Sequence, residues 1–246
     1  MANQDCFEWK LYSWKKIFAA IYKKLVGTGM QTQIMFLFLD FTFGKNKMEI
    51  KHISHFQQQS DCKLFGLMPD KEEIHSFELS NKNGMKVQLI NYGATVTSLK
   101  IPVSNGKLVD VVLGFDTLES YLSCYNLPSA PYFGTTVGRY AGRINKGTFT
   151  LNNEIVHLAV INNGNSLHGG NIGFGRKVWN VADLTGGENP SITFGLLSSD
   201  LDENFPGELH VYLTYTLTEE NELKLEYKAT TTKDTVINLT HHSYFN

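Results

Sequence analysis

The chain has 246 residues, of which 42% are hydrophobic and 19% charged, so it can bury a sizeable core and is not disordered in bulk. Its formal net charge of −2 at pH 7 gives no electrostatic basis for binding nucleic acid, and we exclude that class of partner. Its three cysteines are widely spaced and form neither a disulfide framework nor a zinc motif, which favours a reducing, cytoplasmic location.

The first quarter of the chain differs in composition from the rest. Residues 1–68 carry nine lysines and five acidic residues, whereas all six prolines fall at or after Pro69. Over residues 7–25 apolar side chains recur at helical spacing, and the lysines lie off that stripe. Such a helix could serve a membrane surface or a partner, but we favour one that packs on its own domain or does not fold stably.

The longest apolar runs in this first part have six residues, too few for a signal peptide or a membrane span. We therefore expect no membrane partner. The shift in composition near residue 65 predicts two parts: an N-terminal extension over residues 1–64, made of the possible amphipathic helix and a linker, and a β domain over residues 65–246.

From residue 74 onward the hydrophobic pattern has a period of two, which is typical of β-strands. Short alternating segments flank turn-forming pairs such as Asn83-Gly84 and Asn105-Gly106, the strongest short-range signals of a hairpin. The predicted hairpins join residues 74–79 to 85–90, 95–103 to 108–113, 177–184 to 191–197, and the two halves of 149–160 about Asn152-Asn153. One or two helical turns are expected within residues 116–125.

The most regular alternation comes late in the chain. Residues 209–217 and 223–229 each place apolar side chains on one face and polar ones on the other, as half-buried antiparallel strands do. Residues 235–244 are predicted as a last strand with apolar residues and His241 on one face. The other face is polar and either meets a ligand or is simply solvated; it carries Asn238, Thr240 and His242. These patterns predict an all-β fold, an antiparallel β-sandwich or barrel.

The middle of the chain concentrates the residues suited to chemistry. Arg139 and Arg143 offer forked donors to an oxygen-rich ligand, and His168 stands in a glycine-flanked segment, although Arg143 or His168 taken alone would more often be structural. A metal site is rejected because His241 and His242 would point to opposite faces of one strand. Phosphate-loop and serine-elbow motifs are also missing from the sequence. What remains, His168 with His242 and Arg143, suits a neutral polyol.

Five motifs stand in order along the chain: Asn91-Tyr-Gly-Ala94, Val111-Val-Leu-Gly-Phe-Asp116, Val137-Gly-Arg-Tyr-Ala-Gly-Arg-Ile144, Asn165-Ser-Leu-His-Gly-Gly170 and Ile237-Asn-Leu-Thr-His-His-Ser-Tyr-Phe-Asn246. Together they resemble the aldose 1-epimerase (galactose mutarotase) family over about residues 65–246. The resemblance implies a β-supersandwich, here incomplete at the C-terminus. It also implies interconversion of the α and β anomers of free hexoses such as galactose and glucose, without a cofactor or metal.

The resemblance further implies roles for individual residues. His242 matches the histidine that acts as general acid at the ring oxygen, and His168 matches the second active-site histidine, which hydrogen-bonds the sugar. Arg143 matches the arginine that binds sugar hydroxyls, although Gly142 replaces the family's usual preceding asparagine and one hydroxyl contact is expected to be lost. The family's general-base glutamate lies far downstream of the histidine strand, so we expect a C-terminally truncated chain that is inactive as it stands.

Two other functions stay open at this point. The first is a carbohydrate-binding β-sandwich that keeps the histidine pocket without catalysis. The second is a hexose-phosphate 1-epimerase, for which Arg139, Arg143 and Arg176 could form a phosphate-binding cluster. Spacing along the sequence does not place these arginines together.

Overall fold

The computed structural model describes residues 62–127 and 129–246, so the predicted helix over residues 7–25 lies outside the described residues. The described part begins with a five-stranded antiparallel sheet in chain order: β1 (Cys62–Leu67), β2 (Glu73–Ser80), β3 (Lys86–Ile90), β4 (Thr95–Pro102) and β5 (Leu108–Asp110). Strand β1 starts inside the linker predicted up to residue 64. The pattern missed it because β1 is an edge strand whose side chains are all exposed or half-exposed, without alternation.

The turns of this sheet form where the sequence predicts them. Strands β2 and β3 pair in antiparallel register about Asn83-Gly84, and Gly84 has a φ of 83°, a left-handed conformation that glycine adopts without strain. The side-chain oxygen of Asn81 accepts from the N–H groups of Asn83 and Met85 at 3.1 and 2.9 Å. Asparagine therefore closes this turn through its own side chain, which is the property that makes it a turn residue.

Between the two main sheets the chain forms one helix and several two-stranded ladders. Helix α1 (Leu118–Cys124) falls within the predicted range and is capped by Thr117, whose hydroxyl accepts from the Ser120 N–H at 3.3 Å. The ladder strands are β6 (Thr136–Val137), β7 (Arg143–Asn145), β8 (Thr148–Leu151), β9 (Glu154–His157) and β10 (Asn165–Leu167). The β8–β9 pair turns at Asn152-Asn153, both left-handed, which confirms that hairpin.

The second main sheet has four antiparallel strands in chain order: β11 (Asn180–Thr185), β12 (Ser191–Ser198), β13 (Leu209–Leu217) and β14 (Leu223–Thr231). The alternation predicted over residues 209–217 is confirmed, since every second residue of β13 is 0% exposed: Leu209, Val211, Leu213, Tyr215 and Leu217. The two sheets share one core, in which the rings of Phe77 and Phe194 meet edge to face at 5.9 Å between centroids. The predicted antiparallel sandwich is therefore confirmed.

The predicted last strand is much shorter than its pattern suggested. Only β15 (Thr240–His241) is regular, and it pairs with β6. On either side of it the segment changes partner: Asn238 makes a parallel bridge to Tyr140, and Phe245 makes an antiparallel bridge to Val112. Period-two alternation predicts on which face of an extended segment each residue lies, but not which neighbouring strand the segment pairs with. Here the segment is extended without forming one continuous strand. Among the described residues, no helix has the length and apolar character to cross a bilayer.

Candidate active site

Two ladders that share one stretch of chain bring the candidate residues together. Strand β6 pairs with β15, which places His242 directly after the ladder, and β7 pairs with β10, which places His168 directly after that ladder. Because β6 and β7 are separated by only five residues, the two histidines emerge side by side. Their ring centroids are 5.5 Å apart and the planes are nearly perpendicular, at 84°.

His168 is held in one orientation by its own backbone surroundings. It has a φ of 52°, and Gly169 and Gly170 continue the left-handed turn at 89° and 102°. The His168 N–H donates to the Gly142 carbonyl at 3.0 Å, and the Gly142 N–H donates to His168 Nδ1 at 3.1 Å. Since Nδ1 accepts a hydrogen bond, the neutral ring carries its proton on Nε2.

The charge state of His168 follows from its position. Burial, with smaller contributions from the nearby His242 and Arg143, lowers the pKa of His168 to about 4. His168 is therefore neutral at physiological pH, with Nε2–H as a fixed donor. Burial also lowers the pKa of His242, but there a hydrogen bond to its own backbone opposes the shift, and His168 has no counterpart of that interaction.

His241 points away from the site, as the alternation of an extended segment predicts. Its ring stands edge to face on Tyr215 at 5.8 Å, within the sandwich. The residue as a whole is partly exposed, yet its Nε2 is enclosed and has no hydrogen-bond partner among the described residues. Burial lowers the pKa of His241 to about 4, partly opposed by an interaction with the Gly134 backbone. The two adjacent histidines thus belong to different environments.

Arg143 lies at the exposed rim of the site. Its Nε donates to the side-chain oxygen of Asn162 at 2.9 Å, which fixes the direction of the side chain, and its charge reaches His168. Asn238, on the same predicted face as His242, donates its amide to the Ala141 carbonyl at 2.8 Å. It therefore supports the backbone of the stretch that β6 and β7 share.

The three arginines of the central region do not form a cluster. Arg139 is 1% exposed, and its guanidinium donates to the hydroxyl of Ser198 at 2.7 Å and to the carbonyls of Pro206 and Gly207 at 2.9 and 2.8 Å. Buried guanidinium groups need such partners because their desolvation is costly. Arg139 is therefore a structural residue that holds a loop together, and it is not available to a ligand.

Tyr132 is the site residue that the sequence reasoning missed. Its ring centroid lies 4.9 Å from that of His168 and 5.7 Å from that of His242, so it packs against both. It has a φ of 52°, which is rare for a bulky residue and is often found where function requires it. An aromatic residue between Pro131 and a Phe-Gly pair was the available signal. Tyr244, whose ring is 5.1 Å from that of His242, is a second aromatic side chain beside the histidines that the sequence did not single out.

Arg176 contacts Tyr125, whose ring centroid is 5.4 Å from that of Tyr132. Its guanidinium lies 5.0 Å above the ring of Tyr125, and its Nη1 donates to the Asn171 carbonyl at 2.9 Å. Burial raises the pKa of Tyr132, and the charge of Arg176 opposes that shift, so the two side chains interact. The resulting site has two closely spaced imidazoles, aromatic walls and two peripheral guanidinium groups, a combination suited to the hydroxyl groups and apolar faces of a polyol.

Comparison with known proteins gives one consistent family. The sequence model of the family "Aldose 1-epimerase" matches residues 75–246. Galactose mutarotase from Bos taurus is 42% identical over 184 residues, covering 74% of this chain and 51% of that protein. Aldose 1-epimerase from Escherichia coli K12 is 36% identical over 180 residues, covering 73% and 50%. The chain therefore spans about half the length of the curated relatives it matches.

The solved structures agree with the sequence comparisons. The crystal structure of galactose 1-epimerase from Lactobacillus acidophilus NCFM superposes with a TM-score of 0.65 at 29% identity, over 76% of this chain and 52% of that one. The crystal structure of the GalM/aldose epimerase homologue from C. elegans superposes with a TM-score of 0.62 at 33% identity, over 70% of this chain and 50% of that one.

Proposed function

Because this chain belongs to the aldose 1-epimerase family, we propose that its β domain binds a free hexose, such as galactose or glucose, for interconversion of the α and β anomers. The observation that carries the proposal is the pair of imidazoles, 5.5 Å apart, with Tyr132 packed against both. The two described cysteines, Cys62 and Cys124, are free thiols, which fits the cytoplasm as the location we propose.

The different surroundings of the two histidines suggest different roles. His168 is held neutral, with its Nε2–H free to point at a sugar oxygen, and so serves as a hydrogen-bond donor. His242 has a backbone hydrogen bond that favours its charged form, and so it is the better candidate to carry a transferable proton. We assign His242 as the general acid at the ring oxygen and His168 as the residue that stabilises charge there.

The reaction needs little beyond proton transfer and space for rotation. A base removes the proton of the C1 hydroxyl while His242 protonates the ring oxygen, and the C1–O bond to the ring breaks to leave an open-chain aldehyde. Rotation about the C1–C2 bond presents the opposite face of the carbonyl, and the two proton transfers then run in reverse. Arg143 at the rim donates to sugar hydroxyls and holds the open-chain sugar during that rotation.

The base is the component for which the described residues offer no obvious candidate. Glu203 is the acidic side chain that contacts the loop after His168, and both of its oxygens accept from backbone N–H groups. Both oxygens of Glu203 are thus engaged by the loop, which makes this carboxylate a poor candidate for the base. We therefore propose that the chain as it stands binds sugar but accelerates mutarotation little.

The same observation favours a second candidate, a carbohydrate-binding sandwich that does not catalyse. A hexose-phosphate 1-epimerase is less well supported, because Arg139 is enclosed by carbonyl groups and only Arg143 and Arg176 could meet a phosphate. Free sugar and sugar phosphate can be compared through the thermal stability that each confers on the chain, since a ligand of the folded state raises its unfolding temperature.

The test uses the purified chain in two assays. Galactose is titrated while the His168 and His242 ring resonances are followed by NMR, and the mutarotation of freshly dissolved α-galactose is followed by polarimetry. We expect sugar-dependent shifts at both rings in the parent, loss of the shift at the His242 ring in His168→Asn, and mutarotation close to the buffer rate. His210→Asn is the matched control, because His210 lies on β13 beside Glu208. Absence of any sugar-dependent shift at either ring would refute the proposed function.

A further inference from the structure

The loop that follows His168 is held by one carboxylate from a distant part of the chain. Glu203 Oε2 accepts from the Asn171 backbone N–H at 2.8 Å and from its side-chain amide at 3.3 Å, and Oε1 accepts from the Ile172 N–H at 2.9 Å. Two consecutive backbone donors thus meet the two oxygens of one carboxylate. Hydrogen bonds to a charged acceptor are roughly twice as strong as neutral ones, so this contact is a strong fixed point for the loop.

Glu203 can act as a fixed point because its own loop is rigidly built. Residues 199–207, here called the acidic loop, wrap around the Arg139 guanidinium, which binds carbonyls at both ends of the loop. Within it Asp202 pairs with Lys177 at 2.7 Å, and Glu203 has a left-handed φ of 50° that directs its side chain. Among the ion pairs of residues 62–127 and 129–246, Glu203 has no cationic partner, so its charge is compensated by the loop it holds.

The loop that follows His168 and contacts Glu203 connects two groups of the candidate site. His168 precedes it, and the Asn171 carbonyl at its centre accepts the hydrogen bond from Arg176. The loop also lacks room to move toward the carboxylate, because a Cβ on Gly170 would collide with Glu203, and one on Gly169 would collide with the Gly138 backbone. A change at Glu203 would therefore be transmitted along four residues to the His168 ring.

We propose that Glu203 is a positioning residue, whose carboxylate holds residues 168–172 so that His168 stays on the Gly142 N–H and beside His242. Glu203 does not touch the sugar and does not exchange protons with it. The catalytic consequence rests on the proposed function, but the structural claim does not. Misplacement of a site group by about 1 Å can cost roughly 10²-fold in rate, so the effect on turnover would be large in any form that turns over.

The experiment reads the His168 ring directly, in the 246-residue chain without sugar. Long-range ¹H–¹⁵N NMR gives the tautomer and pKa of His168. Hydrogen exchange of the Asn171 and Ile172 amides reports the strength of their hydrogen bonds to Glu203. The variants are Glu203→Gln and, as matched control for the loss of one negative charge, Glu188→Gln in the exposed turn between β11 and β12. The charged or titratable groups that face the ring, His242, Arg143 and Tyr132, are unchanged in both.

In Glu203→Gln we expect the two amides to exchange at least about tenfold faster, as loss of about 1.4 kcal/mol of local stability would give. His168 Nδ1 should lose its hydrogen-bonded shift, and the pKa of His168 should rise from about 4 toward 6.5. Glu188→Gln should match the parent in every reading. If Glu203→Gln does not fold, Glu203→Asp, which withdraws the carboxylate by one methylene, is judged by the same criteria.

Faster amide exchange with an unchanged His168 spectrum would make Glu203 a ligand of the loop alone and overturn the proposal. Unchanged exchange would overturn it as well. None of these readings needs a bound sugar, so they hold or fail independently of the proposed function. Failure of the proposed function would instead appear as a parent chain whose His168 and His242 rings do not respond to galactose.

Discussion

The enclosed ring of His241 should make the fold sensitive to acid. In the unfolded chain a histidine has a pKa near 6.5, whereas burial lowers the pKa of His241 to about 4 in the folded state. Between these values the unfolded state binds more protons, so stability is fully present above about pH 6.5 and is lost as the pH falls toward 4. The loss levels off below that point, once the folded state is protonated too.

The size of this effect follows from the two pKa values. A difference of about 2.5 units corresponds to about 3 kcal/mol of unfolding free energy. Because a domain of this kind is stable by roughly 5–15 kcal/mol, one side chain would account for a sizeable share. The pKa of His168 is lowered as well, but its ring is partly exposed and solvent screens it, so its share should be smaller.

The variant that isolates His241 is His241→Phe, which keeps an aromatic ring against Tyr215 but cannot be protonated. Urea unfolding is measured at about pH 7 and about pH 4 for both proteins. Between pH 7 and pH 4 the parent should lose about 3 kcal/mol more unfolding free energy than the variant, whatever the absolute stability of each protein. The control His210→Asn, at a half-buried position of β13 beside Glu208, should behave as the parent. Equal losses in parent and His241→Phe would refute the reasoning.

Four other outcomes are expected. Arg139→Met should lower the unfolding free energy by about 3–5 kcal/mol in urea titrations because it leaves buried carbonyls unpaired, whereas Arg143→Met at the rim should change it by less than about 1 kcal/mol. Phe194→Ala should cost about 3–5 kcal/mol by the same measurement, and a loss below about 1 would contradict the packing of the two sheets. In a form that turns over sugar, His242→Asn should lower kcat by about 10²–10⁴ in polarimetry, and a raised KM at unchanged kcat would make it a binding residue only. Deleting residues 1–61 should leave the thermal midpoint of the sandwich nearly unchanged, since composition changes near that boundary; a loss of several kcal/mol would contradict the assignment as an extension.

Features that depend on neighbouring residues were predictable from the sequence. Asn83-Gly84 and Asn152-Asn153 dictate left-handed turns, and the alternation over residues 209–217 dictates a strand with one buried face. The opposite directions of His241 and His242 follow from the same alternation. In each case the information lies within a few residues, where steric and hydrogen-bonding preferences act directly.

Features set by distant parts of the chain were not predictable in this way. Arg139 and Arg143 look alike in sequence, and only the acidic loop, about sixty residues later, makes the first a buried structural group. Tyr132 lacks a periodic pattern because a loop places it, and Glu203 lies in a segment that reads as a solvated acidic turn. Long-range partners of this kind leave no local signature in the sequence, so only the three-dimensional structure identifies them.

The shared stretch of residues 136–145 also constrains when the site can form. Its partners in the β6–β15 ladder lie about a hundred residues later in the chain, whereas its partner β10 is close by. Contacts of such wide sequence separation form slowly, because a long loop must close before they stabilise anything. During synthesis, the β7–β10 ladder that precedes His168 can therefore form early, but His242 cannot join it until both sheets described above have emerged. The pair of imidazoles thus assembles later than those sheets, and in a partly folded chain it would be absent even where most of the described core had formed.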